Sequence, residues 1–233
     1  MTELVAVKNL RKNFGFKPAL AGVGLTLETG RIIGLMGPNG AGKTTLLNII
    51  AGVLPADGGE VRVCGEMVSA DTRRWTSYAP DQQMIHRWMR GTDAIAYYAD
   101  MFADFDPARA SDLAESLRID LKAKIRQLSF GEQERVNVML TLARKARLYL
   151  LDEPFTGIDP LAKDKILKAV MASVTEESSA IISTHQVKDV ETMIDDVIFL
   201  QRGQVKMASS AEEIRESKRL SIEECYLQEY END

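Results

Sequence analysis

The sequence predicts an α/β fold in which a mixed, mainly parallel core sheet carries an antiparallel β-rich edge and a separate helical region. Three observations predict it. Short apolar or β-branched runs at residues 5–7, 32–36, 61–63, 148–151, 180–183 and 197–200 alternate with longer stretches of helical period, the mark of βαβ units. The runs at 5–7, 20–27 and 61–63 lie close together with few helical residues between them, which predicts an antiparallel sheet flanking the parallel one. From about Thr92 to Lys124 the chain turns strand-poor, with Ala94, Ile95, Tyr98, Met101, Leu113 and Leu117 at core-like helical spacing. The expected organisation is one domain over residues 1–208, with a helical subdomain at about 84–145. A short helical tail, polar and acidic, follows over 209–233.

Composition fits that architecture. Of 233 residues 45% are hydrophobic and 27% charged, which argues for a packed core and against a disordered, collagenous or solenoid chain. Lys and Arg number 29 against 34 Asp and Glu, a formal charge of -5, so nucleic acid is not the expected partner. Cys64 and Cys225 lack CxxC or Cys/His ligand spacing and read as free thiols of a reducing compartment. The longest apolar stretches, 46–54 and 32–36, fall short of the ~18 residues that span a bilayer, and the N-terminus lacks the layout of a signal peptide. The expected location is therefore cytoplasmic.

The strand candidate at 31–36 runs straight into Gly37, Pro38, Asn39, Gly40, Ala41, Gly42, Lys43, Thr44 and Thr45, a full GxxxxGK[ST] match, and a helical run follows at 46–51. Each residue type has a task. Glycines let consecutive backbone N–H groups turn toward one anion, the helix N-terminus adds its dipole, Lys43 reaches the β and γ phosphates, and the Thr44 hydroxyl suits Mg²⁺. This predicts a nucleoside triphosphate site. Downstream, the apolar run 148–151 ends in Asp152-Glu153-Pro154, so two carboxylates emerge at the C-terminal end of a strand, where α/β sheets bind ligands. Asp152 is expected to hold Mg²⁺ through water. Glu153 is expected to accept a proton from a water aligned on the γ-phosphate.

Three further segments complete a known pattern: Leu128-Ser129-Phe130-Gly131-Glu132 followed by Gln133 and Arg135, then Gly157-Ile158-Asp159-Pro160, then Ser183-Thr184-His185. In order and spacing, over residues 3–206, they resemble the ATP-binding-cassette (ABC) ATPase family. The resemblance implies a P-loop cassette with ATP and Mg²⁺ as its ligands, held between two cassettes arranged head to tail. Ser129 and the Gly131 N–H, with Glu132 beside them, would meet ATP on a second cassette, identical or not. It also implies that His185 contacts the γ-phosphate, that Asp159 links the two sites, and that Phe14 stacks on adenine, with Phe16 as a competitor. Lys43, Glu153 and His185 would form the catalytic set.

Two departures stand out. Phe130 and Glu132 occupy places where the family signature usually has Gly and Gln, and Asp81, after Tyr78-Ala79-Pro80, stands where the Q-loop usually has Gln. Asp is shorter than Gln and accepts only, so either Asp81 reaches Mg²⁺ through water or Gln82 substitutes. The segment through Met84, Trp88 and Met89 is where the resemblance expects a membrane partner to dock, internal packing being the alternative reading. A single cassette would borrow its channel from a separate transmembrane permease subunit and sit on the cytoplasmic face of the membrane. Residues 153–160 and the tail are similar to those of bacterial drug and ABC-2-type exporters. The competing class is a soluble, non-transport ABC ATPase such as the iron–sulfur assembly ATPase, whose signature also carries Glu.

Overall fold

Successive side chains of a strand point to opposite faces, and along β3 (Ile32–Met36) this divides the apolar residues between two cores: Ile33 and Leu35 enter one, Ile32 and Met36 the other. The same parity holds in β7 (Leu148–Asp152), where Leu148 and Leu150 face the first core and Tyr149 and Leu151 the second. A sheet covered on both faces results, as near-continuous apolar strands require. The computed structural model describes residues 2–82 and 84–231.

Two sheets are present among these residues. β1 (Glu3–Phe14), β2 (Lys17–Glu28), β4 (Gly58–Val63) and β5 (Glu66–Met67) form an antiparallel sheet in the order β2-β1-β4-β5. The second has the order β10-β9-β3-β8-β7-β6, adding β6 (Thr76–Ala79), β8 (Ser179–Thr184), β9 (Asp196–Gln201) and β10 (Gln204–Ser210). All its pairings are parallel except β9 with β10. The predicted parallel sheet with an antiparallel partner is thus what forms.

Helix α1 (Lys43–Ile50) packs with the antiparallel sheet in the first core. Helices α2 (Gly91–Met101), α3 (Pro107–Ser116), α4 (Phe130–Leu142) and α5 (Pro160–Ser173) cover the other face. Local chemistry starts three of them. Asp106 and Asp159 accept backbone N–H groups as N-caps of α3 and α5, each followed by Pro at the first helical position. Ser129 and Glu132 form a reciprocal capping box at the start of α4.

The expected boundary between residues 208 and 209 falls inside β10, because Ser209 and Ser210 still pair with Val197 and Asp196. A short helix α6 (Ala211–Glu213) then runs into one wide turn, and Arg219, in the left-handed region, turns the chain into α7 (Ile222–Glu231). The last two residues of the expected tail lie outside the described residues. Cys64 and Cys225 are both unbridged. No helix among the described residues is long and apolar enough to cross a membrane.

Candidate functional site

The loop 37–42 leaves the C-terminal end of β3 and enters α1, and two of its glycines are sterically required. At Gly42 φ is 109°, and a Cβ there would lie 2.7 Å from the Ala19 carbonyl oxygen; at Gly37 it would lie 2.2 Å from that of Leu200. Lys43, only 6% exposed, turns back over the loop: its Nζ donates to the Gly37 carbonyl at 2.8 Å and lies 3.3 Å from Glu153 Oε1.

Strand β7 delivers the two acids. Asp152 is fully buried; the Ser183 hydroxyl donates to its Oδ1, and its Oδ2 has no hydrogen-bond partner. Burial pushes its carboxyl up, and the hydrogen bond from Ser183 opposes that shift. Glu153 follows in the left-handed region at φ 52°, a conformation that costs a non-glycine residue about 1–2 kcal/mol and re-aims its side chain out of the strand line. Its N–H is fixed by the Ser183 hydroxyl at 2.9 Å. The carboxylate is held at both oxygens: Oε1 faces Lys43, and Oε2 lies 2.8 Å from His185 Nδ1, just beyond β8. Lys43, Glu153 and His185, far apart in sequence, therefore form one connected row.

That row borders a cavity of about 530 Å³. Asn39, Gly40, Ala41, Gly42, Thr44 and Thr45 line it from the loop and α1, and Phe14 and residues 17–19 line it from the antiparallel sheet. Phe14 and Phe16 are separated in position by the hairpin: Gly15 and Phe16 form its two-residue tip, Gly15 at φ 60°, which leaves Phe16 fully exposed and away from the cavity. Asp81 also lines the cavity. Pro38 lies on the outer side of the loop, in a second cavity with Tyr226 and Tyr230.

Ser129, Gly131, Glu132 and Asp159 are not brought to the cavity of their own chain. Ser129 donates its hydroxyl to Glu132 Oε2 at 2.8 Å, and this bond, after the one from the Ser129 N–H, holds the Glu132 carboxyl below its ordinary range. Asp159 accepts from the Leu161 and Ala162 N–H groups, both at 3.0 Å. Phe130, largely exposed, does reach the cavity, and a side chain on Gly157 would sit 3.2 Å from its ring.

Sequence reasoning missed Lys17, Thr156 and Glu134 as lining residues. Glu134 carried no sequence signal, because its placement follows from the packing of α4. It is 4% exposed, one carboxylate oxygen accepts from Asn137 at 3.3 Å, and the other has no partner. Burial, opposed by the Asn137 bond and reinforced by the charges of Asp81 and Asp152, pushes its carboxyl up to about 8. The folded chain thus keeps a proton that the unfolded chain releases. Glu134 stabilises the fold fully below the ordinary Glu range, and that contribution is lost as pH rises toward about 8. Glu134→Gln should therefore gain on wild type as pH rises, by about 2–4 kcal/mol across the window, read from urea unfolding of the nucleotide-free proteins at pH 5.5 and 8.5.

The donors suit a hard cation. Thr44 supplies a hydroxyl, Asp81 a carboxylate and Asp152 a buried, unpartnered oxygen, while no cluster of three or more His, Cys, Asp or Glu among the described residues forms a metal cage. Mg²⁺ is characteristically held this way, by one or two carboxylates with the remaining positions left to phosphate and water.

Residues 20–156 match the model of the ABC transporter family. The chain belongs to that family. An uncharacterised ABC transporter ATP-binding protein of Methanocaldococcus jannaschii is 30% identical over 224 residues, covering 92% of this chain and 80% of the relative. The lipopolysaccharide export system ATP-binding protein LptB of Escherichia coli is 29% identical over 236 residues, covering 97% of each. Among solved structures, an ATP-binding subunit of an ABC transporter superposes with a TM-score of 0.87 at 24% identity, over 97% of this chain and 99% of that one, which shows the shared fold. The protein is thus an ATP-binding subunit of an ABC transporter, and ATP hydrolysis is what its family implies.

Proposed function

We propose that this protein hydrolyses ATP to power an ABC exporter whose membrane-spanning part is a separate permease subunit. The observation that carries the hydrolytic half is the Lys43–Glu153–His185 row at the edge of the glycine-loop cavity. In this reading the loop N–H groups and Lys43 bind the β and γ phosphates, and Phe14 stacks on the adenine. Glu153 takes the proton of the attacking water, and His185 orients Glu153 and meets the γ-phosphate. When bound, Mg²⁺ neutralises charge on the phosphate oxygens; Thr44 and Asp152 would hold it, with Asp81 beside them.

A second cassette is part of the proposal. Ser129, Gly131 and Glu132 sit away from their own cavity, as expected of residues that serve a site on another chain, and Asp159 sits at the start of α5 in the same region. Because Glu132 is held ionised, it would oppose a neighbouring triphosphate. Glu132→Gln keeps the capping box and removes that charge, so ATP-driven dimerisation should reach half-saturation at up to about fivefold lower ATP, the size of an exposed charge interaction. Light scattering across an ATP titration reads the shift.

Export is supported by the likeness to LptB, named for an export system, and by the exporter-like motif and tail. Exposed Met84 and Trp88 support a docking surface for the permease on the cytoplasmic face of the membrane, while Met89 is buried as internal packing. The division into a cassette that runs through β10, with a helical subdomain at about 84–145, and a short helical tail after it belongs to the same reading. The test is recovery of the tagged chain from native membranes in mild detergent, with its partners identified by mass spectrometry. A multi-span protein is the expected partner; recovery of soluble assembly proteins alone would favour the non-transport ATPase.

A further inference from the structure

The two ends of α7 are bonded to different segments, one that follows the cavity-lining His185 and one that backs the glycine loop. At its start, the Ile222 N–H donates to Glu191 Oε1 at 2.7 Å, Lys188 pairs with Glu223 at 3.1 Å, and Arg215 donates to the Glu191 carbonyl at 2.7 Å. Lys188 and Glu191 lie in the turn that follows His185. At its end, the Tyr230 hydroxyl donates to the Leu200 carbonyl at 2.9 Å, and Lys206 donates to the Glu229 carbonyl. The Tyr226 and Tyr230 rings lie 4.4 Å apart, both against Phe199 of β9, Tyr226 edge-on at 5.5 Å.

Residues 199–203 are the wall behind the glycine loop. The Leu200 carbonyl that accepts from Tyr230 is the atom against which Gly37 closes, and the Gly203 N–H donates to the Ala41 carbonyl at 2.9 Å. Tyr226, Tyr230 and Arg202 share a cavity of about 410 Å³ with residues 38–41, so the rings face the outer side of the loop itself. Burial, and after it the charge of Glu153, pushes the Tyr226 hydroxyl up. A helix of this length is a stiff rod of about 15 Å.

We propose that α7 is a strut that fixes the spacing between the His185 segment and the phosphate loop, with Tyr230 as a positioning residue for nucleotide binding and Glu191 as one for His185. The inference rests on the ATPase reading above. A loop already shaped to present its N–H groups binds an anion without reorganising first, and removing its backing exposes that cost.

The test compares wild type, Tyr230→Phe and Glu191→Ala in the full chain, by calorimetric titration with MgATP, steady-state hydrolysis and thermal melting. Tyr230→Phe should weaken MgATP binding and raise KM about two- to tenfold, the equilibrium worth of one hydrogen bond, with kcat little changed. Glu191→Ala should lower kcat by a similar factor with affinity unchanged. Equal affinity and KM in Tyr230→Phe and wild type, or losses in both variants that only follow their melting temperatures, would overturn the strut. A wild type that does not bind MgATP would overturn the ATPase reading itself.

Discussion

Glu153→Gln should bind MgATP as wild type does and hydrolyse it about 10²–10⁴-fold more slowly, the range a positioned general base contributes. Gln is nearly isosteric and can still accept from Lys43 or meet His185, so the row 3.3 and 2.8 Å on either side of the side chain can persist. What disappears is the proton acceptor. The strained backbone at this position is unchanged by the substitution, but buried Lys43 loses its anion, so the variant should lose some stability and a melting curve must accompany the assay. Phosphate release under saturating MgATP measures turnover, and a calorimetric titration measures affinity. Retained turnover would place the base elsewhere, with Asp152 excluded by its complete burial and Asp81, at the cavity, next in line.

The second large effect is on binding. Lys43→Met should weaken MgATP affinity by about 10- to 150-fold for each charge-assisted hydrogen bond lost to phosphate. Lys43 Nζ is preorganised over the loop by the Gly37 carbonyl and is the cation that faces Glu153. Met keeps the length and apolar stem but cannot donate. It also leaves a partly buried Glu153 without its cation, so the variant should lose some stability, and the melting curve must accompany the titration. Affinity unchanged in a folded variant would mean that the backbone N–H groups alone hold the phosphates.

How much of this was legible in the sequence depended on whether the chemistry was contiguous. The loop 37–45 and the acids at 152–153 could be read because phosphate binding fixes residue type at fixed spacing, and the strand before each was an unbroken apolar run. Phe14 and Phe16 were left as competitors, since two aromatic residues around a glycine carry no register; the tip of the hairpin puts Phe14 at the cavity and Phe16 away from it. Ser129 and Asp159 were assigned roles toward a second chain by resemblance, while their S-x-x-E and Asp-Pro patterns also announced the helix caps that they form. Glu134 was illegible, because its burial is produced by α4 packing into the core and leaves no trace in its neighbours. The strand running to Ser210 was missed for a related reason: polar Ser209 and Ser210 pair as backbone, where side-chain pattern says little.

Each sheet has one short margin, and this has a consequence for how the chain behaves there when concentrated. β5 at one margin is two residues long and β6 at another is four, so each offers few unpaired backbone groups as a template to another molecule. Growth by edge-to-edge strand addition, the route to amyloid-like fibres, therefore has little to start from at either place.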